Sequence, residues 1–518
     1  MLSPSGGSFP FFCLVVTGVA VAAWALSRLR DPGELPHPAG WTLARRDVGL
    51  GGTAVLLGGT VYTAYTVIAV PGLTYATGGF GLYALTYTLL LTPAALIVLP
   101  RLHKAARRHG LVTAADLALA RHGSHALSLA VVISGLLATM PYLALQVIGF
   151  GAALRGMGID PTSPRVIPGI LLVFTLLTAG FLPRGLRVCV RVAAFKAVLM
   201  ATLLTVALIL LLRQGTGGGW VFDEAGQRLA ARGMSLAPPA GTGTAYITLA
   251  LGSVLAQLMY PQVLTVALAA RCTDTLRRAT LALPLWTIAL GVFAYLGFAA
   301  LAYGIETPAG HAELAAPALL RRLAAPWLAG LLLGGLAVAA LLPAAVMAIG
   351  MATLVARNLY TEYFNPTATP KHEVRIARFA APVIICGALV FSFLLQPQDA
   401  VNLHLLGGVW IIQTVPAVGC ALYTRWFHHR ALLVGWAIGM TTGTALTVAH
   451  GFDSVVTLEF GHTQLSFYVA FVALVLNLIA AALLTPLLDR AGVMRGPDTF
   501  AARGDLPRRG SRFAFRVD

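Results

Sequence analysis

The sequence predicts an all-α polytopic membrane protein with about 13 transmembrane helices, built as a five-plus-five inverted repeat with two broken helices. Of 518 residues, 58% are hydrophobic and only 11% are charged, and the mean hydropathy is +0.81. Soluble domains carry about 25% charged residues, so this chain cannot face water on all sides. The lipid bilayer is therefore its expected surroundings.

The apolar runs fix the expected positions of the spans. A helix that crosses the hydrocarbon core needs about 20 apolar residues. By that length the predicted spans are residues 9–27, 50–74, 81–100, 124–152, 166–183, 192–212, 244–269, 280–303, 326–355, 377–396, 402–424, 431–450 and 464–487.

The loops between these spans alternate in charge. Most of the 36 Lys and Arg residues fall in every second loop, and basic loops stay on the cytoplasmic side. This pattern predicts a bacterial cytoplasmic (inner) membrane protein with its N-terminus outside and its C-terminus in the cytoplasm. The net charge of +17 is thereby explained without nucleic acid, which we do not expect as a partner. The oligomeric state is not predicted.

The predicted organisation has no appended soluble domain. The final segment is short and basic, and we expect it to be disordered. In chain order the predicted units are an extra span with its loop (1–48), a first five-helix repeat (49–213), an extracellular loop (214–243), a second five-helix repeat (244–425), two C-terminal spans (426–489) and a basic cytoplasmic tail (490–518).

Two spans contain the residues of a broken helix. In residues 58–66, a glycine pair is followed by several hydroxyl side chains, and Gly252 precedes Gln257, Tyr260 and Pro261 in the seventh span. Irregular backbone at membrane depth is tolerated only where it lines an enclosed cavity. The alternative is ordinary packing of small residues between helices.

These two spans are five apart, which is the spacing that two inverted five-helix repeats would give. Such folds bind their solute between the broken helices near the bilayer midplane, which indicates a secondary transporter working by alternating access. Polar groups in the fourth and eleventh spans either complete the site or hold helices together. The candidate solute contacts are Thr60, Thr63, Thr66, Tyr142, Gln146, Tyr260 and Gln413.

Other classes of function lack their motifs. No HExxH, P-loop or nucleophile–base pair occurs, so we expect neither an enzyme nor ATP-driven transport. The five cysteines are scattered, and we expect no metal and no cofactor. His404 and the pair His428-His429 are interpreted as interface or loop residues. A membrane sensor working with a partner protein remains an alternative.

Several segments resemble the sodium:solute symporter family, and within it the bacterial monocarboxylate permeases. The likeness covers nearly the whole chain, and its motifs are Thr63-Ala64-Tyr65-Thr66, Val70-Pro71-Gly72, Arg357-Asn358-Leu359-Tyr360, Pro141-Tyr142, Leu342-Pro343-Ala344-Ala345 and Leu405-Leu406-Gly407-Gly408-Val409-Trp410. The resemblance implies the thirteen-span, five-plus-five architecture and cation-coupled import of a small monocarboxylate such as pyruvate or lactate.

The resemblance also implies a sodium site, from which this sequence departs. Its backbone carbonyls would be those of Gly59, Tyr62 and Ala339. The two positions that bear hydroxyl groups in sodium-coupled members are Leu342 and Pro343. Neither side chain supplies an oxygen, so the coupling ion is either H+ or Na+, with the proton favoured.

Lys196 lies in the sixth span, beside the sodium site that the resemblance implies. One interpretation is that it reaches the headgroups by snorkelling. The other is that its ammonium occupies the vacated cation site and carries the coupled proton, since a desolvated lysine can release one. Sodium-coupled transport of a neutral amino acid or another small solute is the alternative function.

Overall fold

The computed structural model describes residues 7–28, 37–160, 163, 166–181, 183–213, 219–239, 241–394, 400–460 and 463–500. In its first half the helices are α1 (Phe9–Arg28), α2 (Pro38–Thr42), α3 (Leu50–Val61), α4 (Val70–Thr77), α5 (Tyr83–His109), α6 (Ala114–His122), α7 (His125–Gly156), α8 (Ile167–Ala179), α9 (Leu186–Leu212) and α10 (Gly219–Ala231). Short 3₁₀ turns cover Ala44–Arg46 and Gly78–Leu82, and a π-helical turn covers Tyr65–Ala69.

The second half continues in the same manner. Its helices are α11 (Gly243–Met259), α12 (Pro261–Ala269), α13 (Thr273–Thr280), α14 (Leu283–Ala302), α15 (Ala315–Leu323), α16 (Pro326–Thr353), α17 (Pro370–Leu394), α18 (Ala400–Ile411), α19 (His429–Ala449) and α20 (Val469–Arg490). A 3₁₀ turn covers Ala312–Leu314, a π-helical segment covers Leu354–Phe364, and short turns cover Ile412–Leu422. The strands β1 (Val455–Phe460) and β2 (Thr463–Tyr468) pair antiparallel, with Val455 opposite Tyr468.

The all-α membrane fold is confirmed. Ten helices among the described residues are long and apolar enough to cross a membrane, and the bent pair α11–α12 makes an eleventh. A helix lies at each predicted span, but α3 and α8 have only 12 and 13 residues. The count of thirteen spans and the inverted repeat therefore stay predictions. Residues 395–396 of the tenth predicted span lie outside the described residues.

The structure adds detail to three local predictions. The predicted loop 214–243 contains α10, which packs against α14. The last span begins at Val469 and not at residue 464, because the preceding residues pair as β2. Residues 491–500 of the predicted disordered tail fold back onto the protein through hydrogen bonds, including one from the Thr499 N–H to the Ala120 carbonyl. The rest of that tail lies outside the described residues.

Helix α16 forms the centre of the bundle. Its apolar stretch is completely buried, and it packs against α1, α7, α9 and α17. Small residues along it allow these close approaches, as is usual where membrane helices meet. The central position of α16 places it beside the first broken helix.

Glycine is required where α14 crosses α4. The Thr74 hydroxyl donates to the Ala294 carbonyl at 2.8 Å, and a Cβ on Gly297 would collide with that hydroxyl and with the Pro71 carbonyl. We expect Gly297→Ala to destabilise the protein by about 1–3 kcal/mol, the usual cost of overpacking. Thermal unfolding in detergent would measure this. Gly291→Ala on the same helix is the matched control, since its Cβ would lie 3.6 Å from Leu85. Equal melting temperatures for the two variants would contradict the prediction.

Candidate functional site

The first break separates α3 from the π-helical turn. Tyr62 is extended, with φ −95° and ψ 99°, which interrupts the helical hydrogen bonds. The freed N–H of Ala64 donates to the Gln146 side-chain oxygen at 3.1 Å, and that of Tyr65 donates to the Thr63 hydroxyl at 3.1 Å. The sequence-predicted Thr63 and Gln146 thus satisfy the broken backbone, as membrane burial demands.

The second break lies between α11 and α12. Tyr260 is extended there, Pro261 follows it, and the two helices meet at an angle of 55°. On either side of this break, the amide groups of Gln257 and Gln262 are buried, and that of Gln262 makes no hydrogen bond in the part of the chain that the structure describes. Both predicted discontinuities are therefore present.

The two breaks meet at a cluster of buried rings that we term the aromatic box: Tyr65, Tyr87, Tyr142, Tyr260 and His404. The His404 ring centroid lies 4.4 Å from that of Tyr65 and 4.6 Å from that of Tyr142. Tyr142 in turn lies 5.1 Å from Tyr260. All five side chains are buried. Since Tyr65 follows the first break and Tyr260 forms the second, the box joins both.

Polar atoms in and beside the box lack partners. The Thr66 hydroxyl, His404 Nδ1 and the Gln262 amide are buried without a hydrogen bond to any described residue. Leaving such a group unsatisfied costs about 1–3 kcal/mol. Several of them in one region are typical of a site that binds a polar solute.

Lys196 on α9 contacts the backbone of the first break. Its side chain is 1% exposed, and its ammonium donates to the carbonyls of Gly59 and Tyr62, each at 3.0 Å. These are two of the three carbonyls proposed for the cation site. In this structure, therefore, the lysine points into the protein and does not snorkel toward the headgroups.

Helix α16 lies against the same carbonyls. A Cβ on Gly59 would be 3.3 Å from the Leu342 side chain. The next residue, Pro343, is inside the helix and has no N–H, so the Ala339 carbonyl loses its regular i+4 donor. Among the described residues, the Lys196 ammonium donates to Gly59 and Tyr62 and makes no hydrogen bond to Ala339.

Two predicted solute contacts are directed elsewhere. The Thr60 hydroxyl donates to the Leu57 carbonyl of its own helix at 2.9 Å. The Gln413 oxygen accepts from Asn477 at 3.1 Å, and its NH₂ group donates to the Val409 carbonyl at 3.1 Å. The polar group of Gln413 is thereby held toward α20. Thr63, Thr66, Tyr142, Gln146 and Tyr260 all lie at the breaks.

Sequence reasoning missed His404, Tyr65 and Tyr87 as members of the site. The interpretation of His404 as a loop residue is wrong, since it lies inside α18 and is 4% exposed. Its position four residues before Gly408 in an apolar run was the available signal, because an ionisable residue at membrane depth is costly and usually functional.

A cavity of about 360 Å³ opens beside the box. Tyr83, Leu405, Glu313, Asn402 and Asp453 are among its lining residues. Its walls come from α4, α5, α11, α18 and the β1–β2 hairpin. By the predicted orientation this cavity faces the outside. Leu405, which lines it, directly follows His404 of the box in α18.

The family model of the sodium:solute symporter family matches residues 41–443 of this chain. The chain belongs to the sodium:solute symporter family. It is a multi-pass membrane transporter and not an enzyme.

Two relatives extend this finding. A monocarboxylate transport permease protein from Rhizobium johnstonii is 37% identical over 94% of this chain and 97% of its own length. An uncharacterized symporter, YodF, from Bacillus subtilis is 27% identical over 88% of this chain and 89% of its own. The resemblance to the family and to its monocarboxylate permeases, inferred from the motifs, is confirmed.

A solved structure shares the fold. A Na+-coupled sialic acid symporter, in a substrate-bound outward-open state, superposes with a TM-score of 0.74 at 14% identity, covering 94% of this chain and 98% of that one. At this identity the likeness concerns the fold alone. It agrees with the predicted symporter-like helical architecture.

Proposed function

We propose that this symporter imports a small monocarboxylate together with a proton across the bacterial inner membrane by alternating access. The observation that carries the proposal is the Lys196 ammonium, which binds the Gly59 and Tyr62 carbonyls where the family would hold its cation. The proton on that ammonium is the coupled ion, and it links α9 to the first break.

The absence of hydroxyl side chains at positions 342 and 343 favours a proton over sodium as the coupling ion. A sodium ion in this position would need several oxygen ligands, and Leu342 and Pro343 offer none from their side chains. Two carbonyls favour the charged form of the lysine, whereas burial opposes it. Because these two effects oppose each other, the proton can dissociate from the ammonium when the surrounding helices move and admit water.

The aromatic box supports a small anionic solute. The breaks and the box present O–H and N–H groups, and none of the residues named there is a carboxylate that would repel an anion. Hydroxyl and imidazole donors suit a carboxylate. The relative from Rhizobium johnstonii is a monocarboxylate transport permease protein. Thr63, Thr66, Tyr142, Tyr260 and His404 are therefore the proposed solute contacts.

Movement of one bundle against another would expose the box to each side in turn. The moving bundle consists of the two broken helices with α5 and α14, and α16 with its neighbours is the static scaffold. Lys196 on α9 connects the two. Loss of its proton would weaken that connection and allow the inward-facing state.

Uptake into proteoliposomes tests the proposal. Labelled pyruvate is supplied outside, and either a proton gradient or a sodium gradient is imposed alone. We expect accumulation with the proton gradient and indifference to sodium. Accumulation driven by sodium alone would contradict proton coupling, and no uptake with either gradient would remove monocarboxylates as the substrate.

Sodium-coupled transport of another small solute is the second candidate. The family is named for sodium, and the structural relative is a Na+-coupled symporter. The Ala339 carbonyl, which lacks its regular donor, could contribute to such a site if Lys196 moved away. A sodium-dependent increase in thermal stability, measured without any substrate, would favour this candidate.

A further inference from the structure

The end of the described chain folds against the face that carries the basic loops. The Asp498 carboxylate binds Arg121 at 3.2 Å and Arg425 at 2.6 Å. The Gly496 N–H donates to His429 Nδ1 at 3.2 Å, and Phe500 stacks on the His109 ring at 4.1 Å. Residues 495–500, the C-terminal strap, thus connect α6 to the loop between α18 and α19.

A cavity of about 170 Å³ lies beneath the C-terminal strap. Its lining residues are Arg121, His122, Arg425, Phe427, His429, Arg495, Gly496 and Asp498. Arg121 and Arg425 share the Asp498 carboxylate, and Arg495 pairs with Asp489 at 2.5 Å. Three arginines thus have two carboxylate partners, which leaves one positive charge in excess. The volume is sufficient for one phosphate group.

Some lining groups lack partners. His122 is 7% exposed, and its Nε2 makes no hydrogen bond to any described residue. The Nε atom of Arg121 is buried and is likewise without a hydrogen bond. Burial lowers the pKa of His122 to about 4, so its ring is neutral near pH 7. Buried polar atoms without a partner in this cavity are available to a ligand.

The cavity lies at the level of lipid headgroups. Trp426 is 48% exposed and Tyr423 is 44% exposed, and the Arg101 guanidinium lies 4.1 Å from the Tyr423 ring centroid. Exposed Trp and Tyr residues concentrate at the membrane–water interface. A phosphate that reaches this cavity can therefore belong to a lipid in the adjacent leaflet.

We propose that this cavity binds the phosphate of an anionic phospholipid, held by Arg121, Arg425 and Arg495, with the Asp498 carboxylate as its competitor. Basic pockets between helices on the cytoplasmic side are suited to such headgroups. The phosphate replaces Asp498 as the partner of Arg121 and Arg425. Phosphate binding then competes with the Asp498 contacts of the C-terminal strap, while Arg495 keeps its hydrogen bonds to the Arg425 and Trp426 carbonyls.

Native mass spectrometry of the full chain tests this proposal. The purified protein is titrated with phosphatidylglycerol, with phosphatidylcholine, and with inorganic phosphate. We expect retention of phosphatidylglycerol in preference to the other two. Arg425→Gln should weaken that retention about fivefold, since one arginine near the surface contributes about 1 kcal/mol. Arg425 is 57% exposed as a side chain, so the variant should fold.

Two further variants separate binding from structure. Asp498→Asn removes the competitor and should strengthen retention, whereas a merely structural carboxylate would leave retention unchanged or reduce it. Arg278→Gln is the matched control, because Arg278 is 67% exposed and pairs with Asp274, away from the cavity. Equal retention by Arg425→Gln and Arg278→Gln would overturn the proposal. Equal retention of free phosphate would overturn the assignment to a lipid.

Discussion

Lys196→Gln should abolish accumulation driven by a proton gradient. The ammonium is the proposed carrier of the coupled proton, and its two bonds, each 3.0 Å long, join α9 to the first break. A proton difference of one pH unit is worth about 1.4 kcal/mol, enough for about tenfold accumulation per proton. We expect the native protein to approach this ratio with labelled pyruvate and the variant to reach only equilibrium.

The experiment must distinguish a loss of proton coupling from a loss of protein stability. Without the ammonium, two buried carbonyls lose their donor, which lowers the free energy of unfolding by about 1–3 kcal/mol each. The melting temperature should therefore fall as well. Solute exchange without a gradient is therefore measured in parallel, and we expect it to persist in Lys196→Gln. Lys371→Gln, at an exposed position on α17, is the matched control. An unchanged proton dependence in Lys196→Gln would refute proton coupling through this residue.

Lys196→Arg sharpens the same test. A guanidinium keeps its charge at any physiological pH, so the cation site would be permanently occupied. We expect exchange to continue and proton-driven accumulation to be absent, as in the glutamine variant. If the arginine variant still accumulated pyruvate in response to protons, Lys196 would have to be a fixed structural charge and not the proton carrier.

The breaks could be predicted because irregular backbone in a membrane requires particular residues. Glycines, hydroxyls and proline interrupt an apolar run visibly, and residues 58–66 and Tyr260-Pro261 are irregular as expected. Lys196 could be predicted as well, because it is the one charged residue in the predicted span 192–212. These features depend on local sequence alone.

The aromatic box could not be predicted in this way. Its rings come from five separate elements, and their proximity depends on helix packing that one sequence does not reveal. Gln413 shows a second effect of packing. Its polarity suggested a solute contact, but Asn477, sixty-four residues later, binds its side-chain oxygen. A polar residue in a membrane helix takes whichever partner packing provides.

His404→Phe should raise the half-saturating concentration of the transported monocarboxylate about tenfold or more. The imidazole lies 4.4 Å from Tyr65 and 4.6 Å from Tyr142 between ring centroids, and its Nδ1 has no partner among the described residues. A hydrogen bond to a charged ligand is worth about 1.5–3 kcal/mol, which corresponds to roughly a tenfold to hundredfold change in affinity. Uptake measured against pyruvate concentration gives the value.

Stability distinguishes a solute contact from a packing residue. Phenylalanine keeps a ring of similar shape and removes an unsatisfied buried nitrogen, so the melting temperature of His404→Phe should stay equal or rise. If His404 served only packing or an internal hydrogen bond, the variant would show the reverse result. Its melting temperature would be lower, and its affinity for the monocarboxylate would be unchanged. His450→Phe, at an exposed position at the end of α19, is the matched control and should alter neither quantity. Weakened uptake together with undiminished stability would place His404 against the solute, because only a ligand absent from the resting protein could use that nitrogen.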